Sequence, residues 1–193
     1  MPLLKEPLYA LSQTPKTRIY IETGTYLGFG IRDIMEHYDI IHSIELSQKW
    51  YDYNVEQFKQ FPHIQLHLGD TKNVLPTLLQ NIHEPVTIYL DAHFSGGETA
   101  FGDEECPLLY ELEFLSKRPY NDIIIIDDCR LLGKTGVCGI PNDTIYPEMR
   151  FDWTNVTEER IIKLIKNNYS FVYNEHHQFS TGSIDQMLLI PNK

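Results

Sequence analysis

Residues 86–93 read VTIYLDAH, and residues 123–128 read IIIIDD. Each stretch is a run of β-branched and aliphatic side chains that ends in carboxylates. Runs of this kind are typical of strands that are buried on both faces of a parallel sheet. The carboxyl ends of such strands open onto a crevice. The sequence therefore places three carboxylates and one histidine at the edge of that crevice, where a hard cation could be held.

Outward from these two stretches, apolar runs of strand length alternate with helical patterns. The strand-length runs are Arg18–Thr23, Ile40–Glu45, Ile64–Leu68, Val86–Asp91, Asp122–Asp127, Ser170–Glu175 and Ile184–Ile190. Apolar residues at three and four spacing predict helices at Leu27–Tyr38, Ser47–Gln60, Lys72–Gln80, Pro107–Lys117 and Glu158–Asn168. The alternation predicts an α/β fold with a doubly wound, mostly parallel sheet. Only the polar linker Asn174–Ser183 separates the last two runs, which predicts a hairpin and an antiparallel last strand.

The composition narrows the class of protein. The chain has 193 residues, 42% of them hydrophobic, which is enough for one core, so we expect a single domain over 1–193 with an N-terminal extension at 1–17. It contains no run of about 18 apolar residues and no secretory signal, so we expect a cytoplasmic protein without a membrane partner. The formal net charge of −11 disfavours a nucleic-acid partner. The three cysteines lack paired spacing, which disfavours disulfides and structural zinc.

A glycine-rich turn follows the first predicted strand, where residues 22–30 read ETGTYLGFG. Glycines at such a turn let the backbone approach a ligand closely. Their spacing differs from the G-x-G-x-x-G that binds a dinucleotide pyrophosphate. Glu45 and Asp70 end the second and third strands, and an acid at the former place accepts hydrogen bonds from ribose hydroxyls in doubly wound folds. The alternative is that the glycines serve packing and that both acids are solvated strand ends or helix caps.

These residues resemble the class I S-adenosylmethionine-dependent methyltransferases. Glu22-x-Gly24-x-x-x-Gly28 is similar to the first motif of that family, over a resemblance that spans Arg18 to Asp128 and the last two strands. The resemblance implies a Rossmann-like sheet of seven strands with a reversed last strand. It also implies a set of cofactor-binding residues: Glu22, Gly24, Thr25, Gly28, Glu45, Asp70, Thr71 and Asp91.

The acids after the fourth and fifth strands resemble the cation-dependent O-methyltransferase branch, which includes catechol O-methyltransferase and antibiotic sugar O-methyltransferases. That resemblance implies that Asp91, Asp127 and Asp128 hold Mg²⁺ (or Mn²⁺) and that the metal binds two neighbouring hydroxyls of the acceptor. Three adjacent carboxylates are costly without a compensating cation. His93 is predicted to be the general base, because an imidazole titrates near neutrality. The alternatives are a metal ligand or a residue that orients the loop, and either aspartate of the pair could cap the next loop.

Two loops would complete the site. The three glycines within 95–106 predict a mobile lid, whose Asp103, Glu104 and Glu105 are interpreted as favourable charges at the start of the next helix. The long segment 131–155, together with Arg130, is predicted to bind the acceptor, or else to be an ordinary surface loop or dimer contact. The polar and aromatic side chains that suggest this role are Arg130, Lys134, Tyr146, Arg150 and Trp153.

The sequence thus predicts an S-adenosylmethionine- and cation-dependent O-methyltransferase that acts on a hydroxyl of a sugar, a glycan or another small diol. The stretch at 90–97, LDAHFSGG, resembles methyltransferase-like proteins associated with polysaccharide synthesis. One alternative is a metal-dependent nucleotide-sugar enzyme that performs glycosyl transfer or hydrolysis. Another is a non-catalytic binding module with the methyltransferase fold. The oligomeric state stays open, with a homodimer as one option.

Overall fold

The structure is a computed structural model that describes residues 17–144, 147–174 and 185–192. Its strands are β1 Ile19–Thr23, β2 Ile40–Glu45, β3 Ile64–Leu68, β4 Val86–Leu90, β5 Ile123–Ile126, β6 Thr135–Cys138, β7 Met149–Asp152, β8 Tyr169–Tyr173 and β9 Met187–Pro191. Its α-helices are α1 Phe29–Ile34, α2 Gln48–Phe58, α3 Thr71–Leu79, α4 Leu108–Leu115 and α5 Glu158–Ile165, and a 3₁₀ turn covers Cys129–Leu131.

Seven strands form one sheet in the order β3-β2-β1-β4-β5-β9-β8. The pairs among β1 to β5 are parallel, whereas β9 runs antiparallel to both β5 and β8. This confirms the predicted α/β fold with its antiparallel last strand. The order reverses between β1 and β4, and doubly wound sheets bind ligands at such a point.

The central strands are largely apolar because both faces of the sheet are covered. Ile21 and Ile124 pack on one face with the buried sides of α3, α4 and α5. Tyr20 and Ile125, their neighbours along the strands, pack on the other face with α1 and α2. Since successive side chains of a strand point to opposite faces, a doubly covered strand shows no polar alternation.

The structure differs from the prediction in segment 131–155, which was expected to be irregular. There β6 and β7 form a separate two-stranded antiparallel sheet. The first helix is also shorter than predicted, because its N-cap residue Gly28 adopts a left-handed conformation and the helix ends at Ile34. The predictions for residues 1–16, Tyr146 and most of the linker Asn174–Ser183 lie outside the described residues. Among the described helices, none is long and apolar enough to cross a bilayer.

Candidate functional site

The turn after β1 brings the two halves of the crevice together. Gly24 has a φ of +87°, and its N–H donates to the carbonyl oxygen of Ile44, 2.9 Å away. A Cβ at Gly24 would lie only 2.5 Å from the carbonyl oxygen of Asp91. Glycine is therefore required here both by the backbone conformation and by the close approach of the β4 end.

Two cofactor residues predicted from the sequence, Glu22 and Thr25, lie beneath this turn. The Ser43 hydroxyl donates to Glu22 Oε1 at 2.7 Å and lies 2.6 Å from the Thr25 hydroxyl. The side chains of Glu22 and Thr25 are both buried. Burial raises the pKa of Glu22 to about 8, although the hydrogen bond from Ser43 acts in the opposite direction. Glu22 thus supports the turn from below, through its hydrogen bond with Ser43.

Glu45 lies at the carboxyl end of β2, beside the same turn. Its two carboxylate oxygens accept the backbone N–H groups of Tyr26 and Ser47, at 2.8 and 2.7 Å. The turn is fixed further by Asn54, whose amide donates to the carbonyl oxygen of Tyr26 at 2.6 Å and whose side chain fills the space that a Cβ at Gly28 would need. Gly28 therefore has a packing role here.

Asp70, at the end of β3, caps the helix that follows. Its side chain accepts the N–H of Lys72 at 2.8 Å, which makes it the N-cap of α3. Thr71 is the first residue of that helix and is buried. The cap interpretation of Asp70 therefore describes a real contact, and a further contact with a cofactor stays a prediction.

The ends of β4 and β5 bring Asp91, His93 and Asp128 together. His93 Nδ1 lies 3.2 Å from Asp91 Oδ1, and His93 Nε2 lies 2.9 Å from Asp128 Oδ2. One ligand atom from each of the three residues falls within 4.8 Å of the others. These atoms could hold a divalent metal ion: the carboxylate oxygens suit Mg²⁺ and Mn²⁺, whereas an imidazole nitrogen in the set would suit a transition metal.

Asp127, the remaining acid of the predicted metal set, lines the same cavity as Asp91 and His93 but lies outside the group of three. Its carboxylate accepts a hydrogen bond from the Tyr89 hydroxyl and the N–H of Asp128, the latter at 2.9 Å. Burial, with the nearby charge of Asp91 as the next cause, raises the pKa of Asp127 well above its usual range. Asp128, by contrast, has a left-handed φ of +54°.

Arg130 lies against the acidic cluster. Its Nη1 atom contacts Asp128 Oδ1 and lies 2.5 Å from Asp185 Oδ2. Arg130 was expected to bind the acceptor, and the structure places its guanidinium on these acids. Asp185, two residues before β9, is buried. It lies inside the predicted strand Ile184–Ile190, and no signal in the sequence marks it as part of the site.

His93 lines a small cavity. The Trp153 ring packs edge-on against the imidazole, with 5.3 Å between centroids, and the Ser95 hydroxyl lies 2.9 Å from Nε2. Glu111 of α4 lines the same cavity, and its burial raises its pKa to about 7. Sequence reasoning missed Glu111 because a glutamate in an amphipathic helix is normally exposed. Trp153 is only 2% exposed, so it forms a wall of the cavity.

Loop 95–106 contacts both halves of the crevice. On the side of α2 and α3, the Trp50 indole N–H donates to the carbonyl oxygen of Glu98 at 3.0 Å, and Lys72 pairs with Asp103 at 3.1 Å. On the other side, the Glu105 carboxylate accepts the N–H of Asp152 at 3.2 Å. Asp103 and Glu105 thus have specific partners besides their place before α4. The mobility of this loop stays a prediction.

On the acceptor side, segment 131–155 presents Lys134 and Arg150 as exposed side chains of the small β6–β7 sheet and its approach. Lys134 Nζ donates to the carbonyl oxygen of Arg130 at 2.7 Å. Lys134 thus contacts the residue that pairs with Asp128, and a contact of Lys134 or Arg150 with an acceptor stays a prediction.

Comparisons with known proteins place this geometry in a structural class. A scan against protein-family models finds no match, and neither does a sequence search of curated proteins. Solved methyltransferase structures, however, resemble the chain over nearly its whole length. The chain has a Rossmann-like methyltransferase fold.

Three of these structures illustrate the range. The SAH-bound methyltransferase PaMTH1 of Podospora anserina has a TM-score of 0.59 at 17% identity, over 91% of this chain and 72% of that one. An S-adenosylmethionine-dependent methyltransferase from Clostridium acetobutylicum has a TM-score of 0.53 at 13% identity, over 96% of this chain and 87% of that one. The N-methyltransferase NodS of Bradyrhizobium japonicum has a TM-score of 0.54 at 13% identity, over 96% of this chain and 91% of that one. Since an N-methyltransferase is among them, the fold does not identify the atom that is methylated.

Proposed function

We propose that this protein is an S-adenosylmethionine-dependent, divalent-cation-dependent O-methyltransferase that acts on a hydroxyl of a sugar, a glycan or another small diol. The observation that carries the proposal is the convergence of Asp91, His93 and Asp128 within 4.8 Å at the carboxyl ends of β4 and β5. This cluster lies directly beside the turn at Gly24, whose backbone touches Asp91. A nucleoside crevice and an acidic cluster that share one residue suit the transfer of a group between two bound molecules.

The cofactor half would use the turn at Gly24, the acid Glu45 and the acid Asp70. Each oxygen of Glu45 accepts one backbone N–H, and a carboxylate has about four acceptor positions. Glu45 therefore keeps capacity for the two ribose hydroxyls while its orientation is fixed. Asp70 likewise has one oxygen on the N–H of Lys72, which leaves the other for an adenine amino group.

The cation half would use Asp91 and Asp128, with His93 between them. A bound Mg²⁺ or Mn²⁺ would supply positive charge that lowers the pKa of an acceptor hydroxyl. His93, as the base, would take the proton of that hydroxyl, and the acceptor oxygen would attack the sulfonium methyl of S-adenosylmethionine in line, so that the S–CH3 bond breaks and S-adenosylhomocysteine leaves. Asp91, 3.2 Å from Nδ1, would orient the ring and stabilise the imidazolium that forms, as the aspartate of a catalytic triad does, and Nε2 would take the proton when Asp128 binds the cation instead of the ring.

His93 as a third ligand is the competing assignment, since its ring nitrogens lie within the three-residue donor set. Each oxygen of Asp127 accepts one hydrogen bond, and this residue lines the same cavity as Asp91 and His93, so Asp127 as a further ligand stays a prediction. Pulsed electron paramagnetic resonance on the Mn²⁺-loaded protein distinguishes the two roles. Nitrogen coupling that is lost in His93→Gln would assign His93 as a ligand, whereas a base leaves the Mn²⁺ spectrum without such coupling.

The test of the proposed function is methyl transfer from labelled S-adenosylmethionine to a panel of sugars and phenols, with Mg²⁺ and with a chelator. We expect transfer that depends on the cation and is lost in Asp91→Asn. His93→Ala should abolish transfer and leave S-adenosylmethionine affinity nearly unchanged, and a loss of that affinity would contradict its role. Asp39→Asn, at an exposed acid before β2, is the matched control and should retain full activity.

A further inference from the structure

Asp185 ties the segment that carries Asp128 to the beginning of β9. The Asp185 carbonyl oxygen accepts the N–H of Cys129 at 2.8 Å. Its carboxylate accepts both the backbone N–H of Arg130, at 3.2 Å, and the side chain of Arg130, at 2.5 Å. Asp185 is 2% exposed. A buried carboxylate in this position is costly unless its charge is compensated, and Arg130 provides that charge.

Arg130 provides the same charge to Asp128. A single guanidinium nitrogen, Nη1, contacts one oxygen of Asp128 and one of Asp185. The other oxygen of Asp128 lies 2.9 Å from His93 Nε2, inside the candidate cation site. One arginine is therefore divided between a candidate metal ligand and a carboxylate outside the ligand set.

A divalent cation and Arg130 would compete for Asp128. Two positive groups within a few ångströms of each other repel strongly in a partly buried site. When a cation binds, the guanidinium must weaken its contact with Asp128, and this is easy only if another carboxylate already holds it. Asp185 is placed to do so, because it touches the same nitrogen and also fixes the backbone of Arg130.

We propose that Asp185 is a positioning residue that accepts the Arg130 guanidinium when a divalent cation occupies Asp91, His93 and Asp128, and that it thereby sets the cation affinity of this site. The inference rests on the proposed function only in that it takes this cluster as the cation site. If Asp185 were purely structural, it would only fix segment 128–130, and the effect of its substitution on cation affinity would not depend on Arg130.

The test is a double-mutant cycle on Mn²⁺ affinity, measured by calorimetry or by the free Mn²⁺ signal in electron paramagnetic resonance, without cofactor or acceptor. Asp185→Asn keeps an acceptor oxygen for the backbone of Arg130 and removes the charge that holds its side chain. We expect it to weaken Mn²⁺ binding by about 10-fold, equivalent to about 1.4 kcal/mol. Arg130→Gln should strengthen Mn²⁺ binding by several-fold, because it removes the competing charge.

The decisive comparison is Asp185→Asn in the Arg130→Gln background. If Asp185 acts through Arg130, its substitution there should change Mn²⁺ affinity by less than about 2-fold. An equal effect in both backgrounds would mean that Asp185 acts directly through its own charge, and would overturn the proposal. Asp52→Asn, at an exposed acid of α2, controls for the change in net charge and should leave the affinity unchanged.

Two further outcomes keep the proposal open to refutation. If Asp185→Asn does not fold, Arg130→Gln alone decides, and an unchanged or weakened Mn²⁺ affinity in that variant overturns the exchange between the two acids. If the wild type binds no Mn²⁺, the cation in the proposed function is wrong and this proposal falls with it. A wild type that binds Mn²⁺ while the cycle is additive refutes the role of Asp185 alone.

Discussion

The buried carboxyl group of Glu22 gives the most direct quantitative prediction. Its pKa is raised from 4.5 to about 8, chiefly by burial. The folded protein therefore holds a proton on Glu22 that the unfolded chain releases above pH 4.5. The resulting stability is fully present below pH 4.5 and is lost as the pH rises toward 8.

The magnitude follows from the two pKa values. Between pH 5 and pH 8 the unfolded chain ionises almost completely, whereas the folded protein reaches half ionisation at pH 8. In that interval about 2.6 of the units by which the two pKa values differ affect the unfolding free energy. At about 1.36 kcal/mol per pKa unit, the loss is about 3.5 kcal/mol. Glu22→Gln keeps the shape and the hydrogen bond from Ser43 but cannot ionise, so it should lack this loss.

The assay is urea unfolding of the wild type and Glu22→Gln at pH 5 and pH 8. Taking the difference between the two proteins removes the contributions of other groups, such as Glu111, whose pKa is raised to about 7 in the same direction. We expect the variant to gain about 3.5 kcal/mol relative to the wild type from pH 5 to pH 8. Glu36→Gln, at an exposed glutamate, is the control. A difference that stays constant with pH would refute the assignment of a buried, protonated Glu22.

Three other predictions concern the same part of the sheet. His42 Nδ1 lies 3.0 Å from His67 Nε2, and burial, followed by the neighbouring ring, lowers the pKa of His42 to about 4. The unfolding free energy that depends on neutral His42 is therefore present above pH 6.5, and about 2.5 kcal/mol of it should be lost by pH 4.5. Urea unfolding should show that His42→Asn largely avoids this loss. Gly24→Ala should lower the unfolding free energy by about 3 kcal/mol or more. Gly133→Ala, with a similar positive φ but no neighbour nearer than 3.6 Å among the described residues, should cost about 1 to 2 kcal/mol in the same assay. Asp70→Asn should keep the helix cap and melt like the wild type, but should lower S-adenosylhomocysteine affinity by about 10-fold in calorimetry if Asp70 also contacts the cofactor.

Each of these predictions has its own control and contrary outcome. His37→Asn, at an exposed histidine, should change acid stability little, and an equal effect at both histidines would contradict the burial argument. Equal losses for the two glycine substitutions would mean that the close approach to Asp91 is unimportant. Asp70→Ala should cost about 1 kcal/mol of stability, and if Asp70→Asn loses as much, the cap contact depends on charge.

The sheet could be predicted because its central strands are buried on both faces, so that β4 and β5 form unbroken apolar runs. The small β6–β7 sheet was harder to predict, because half of its residues are exposed and each strand has only four, so that the apolar–polar alternation of Met149–Asp152 is at the shortest length that indicates a strand. Helix boundaries depended on backbone details, such as the left-handed Gly28, that no periodicity reveals.

The sequence predicts which residues of the candidate site lie at strand ends. It predicts less well in which direction their side chains point. Asp91, His93 and Asp128 meet because the ends of parallel neighbours β4 and β5 lie side by side. The adjacent acids Asp127 and Asp128 are equivalent in sequence, and only the left-handed turn at Asp128 separates their directions. Asp185 reaches the site from the far end of the chain, a contact that only the tertiary fold creates.

The central claim is that the crevice beside Gly24 holds a sulfonium nucleoside. Its most direct test is a calorimetric titration of the wild-type protein with S-adenosylhomocysteine and, in parallel, with a nucleoside diphosphate such as UDP. The account predicts saturable one-site binding of S-adenosylhomocysteine that Gly24→Ala abolishes, with little or no heat from UDP. Preferential binding of UDP, or no binding of S-adenosylhomocysteine, would contradict it.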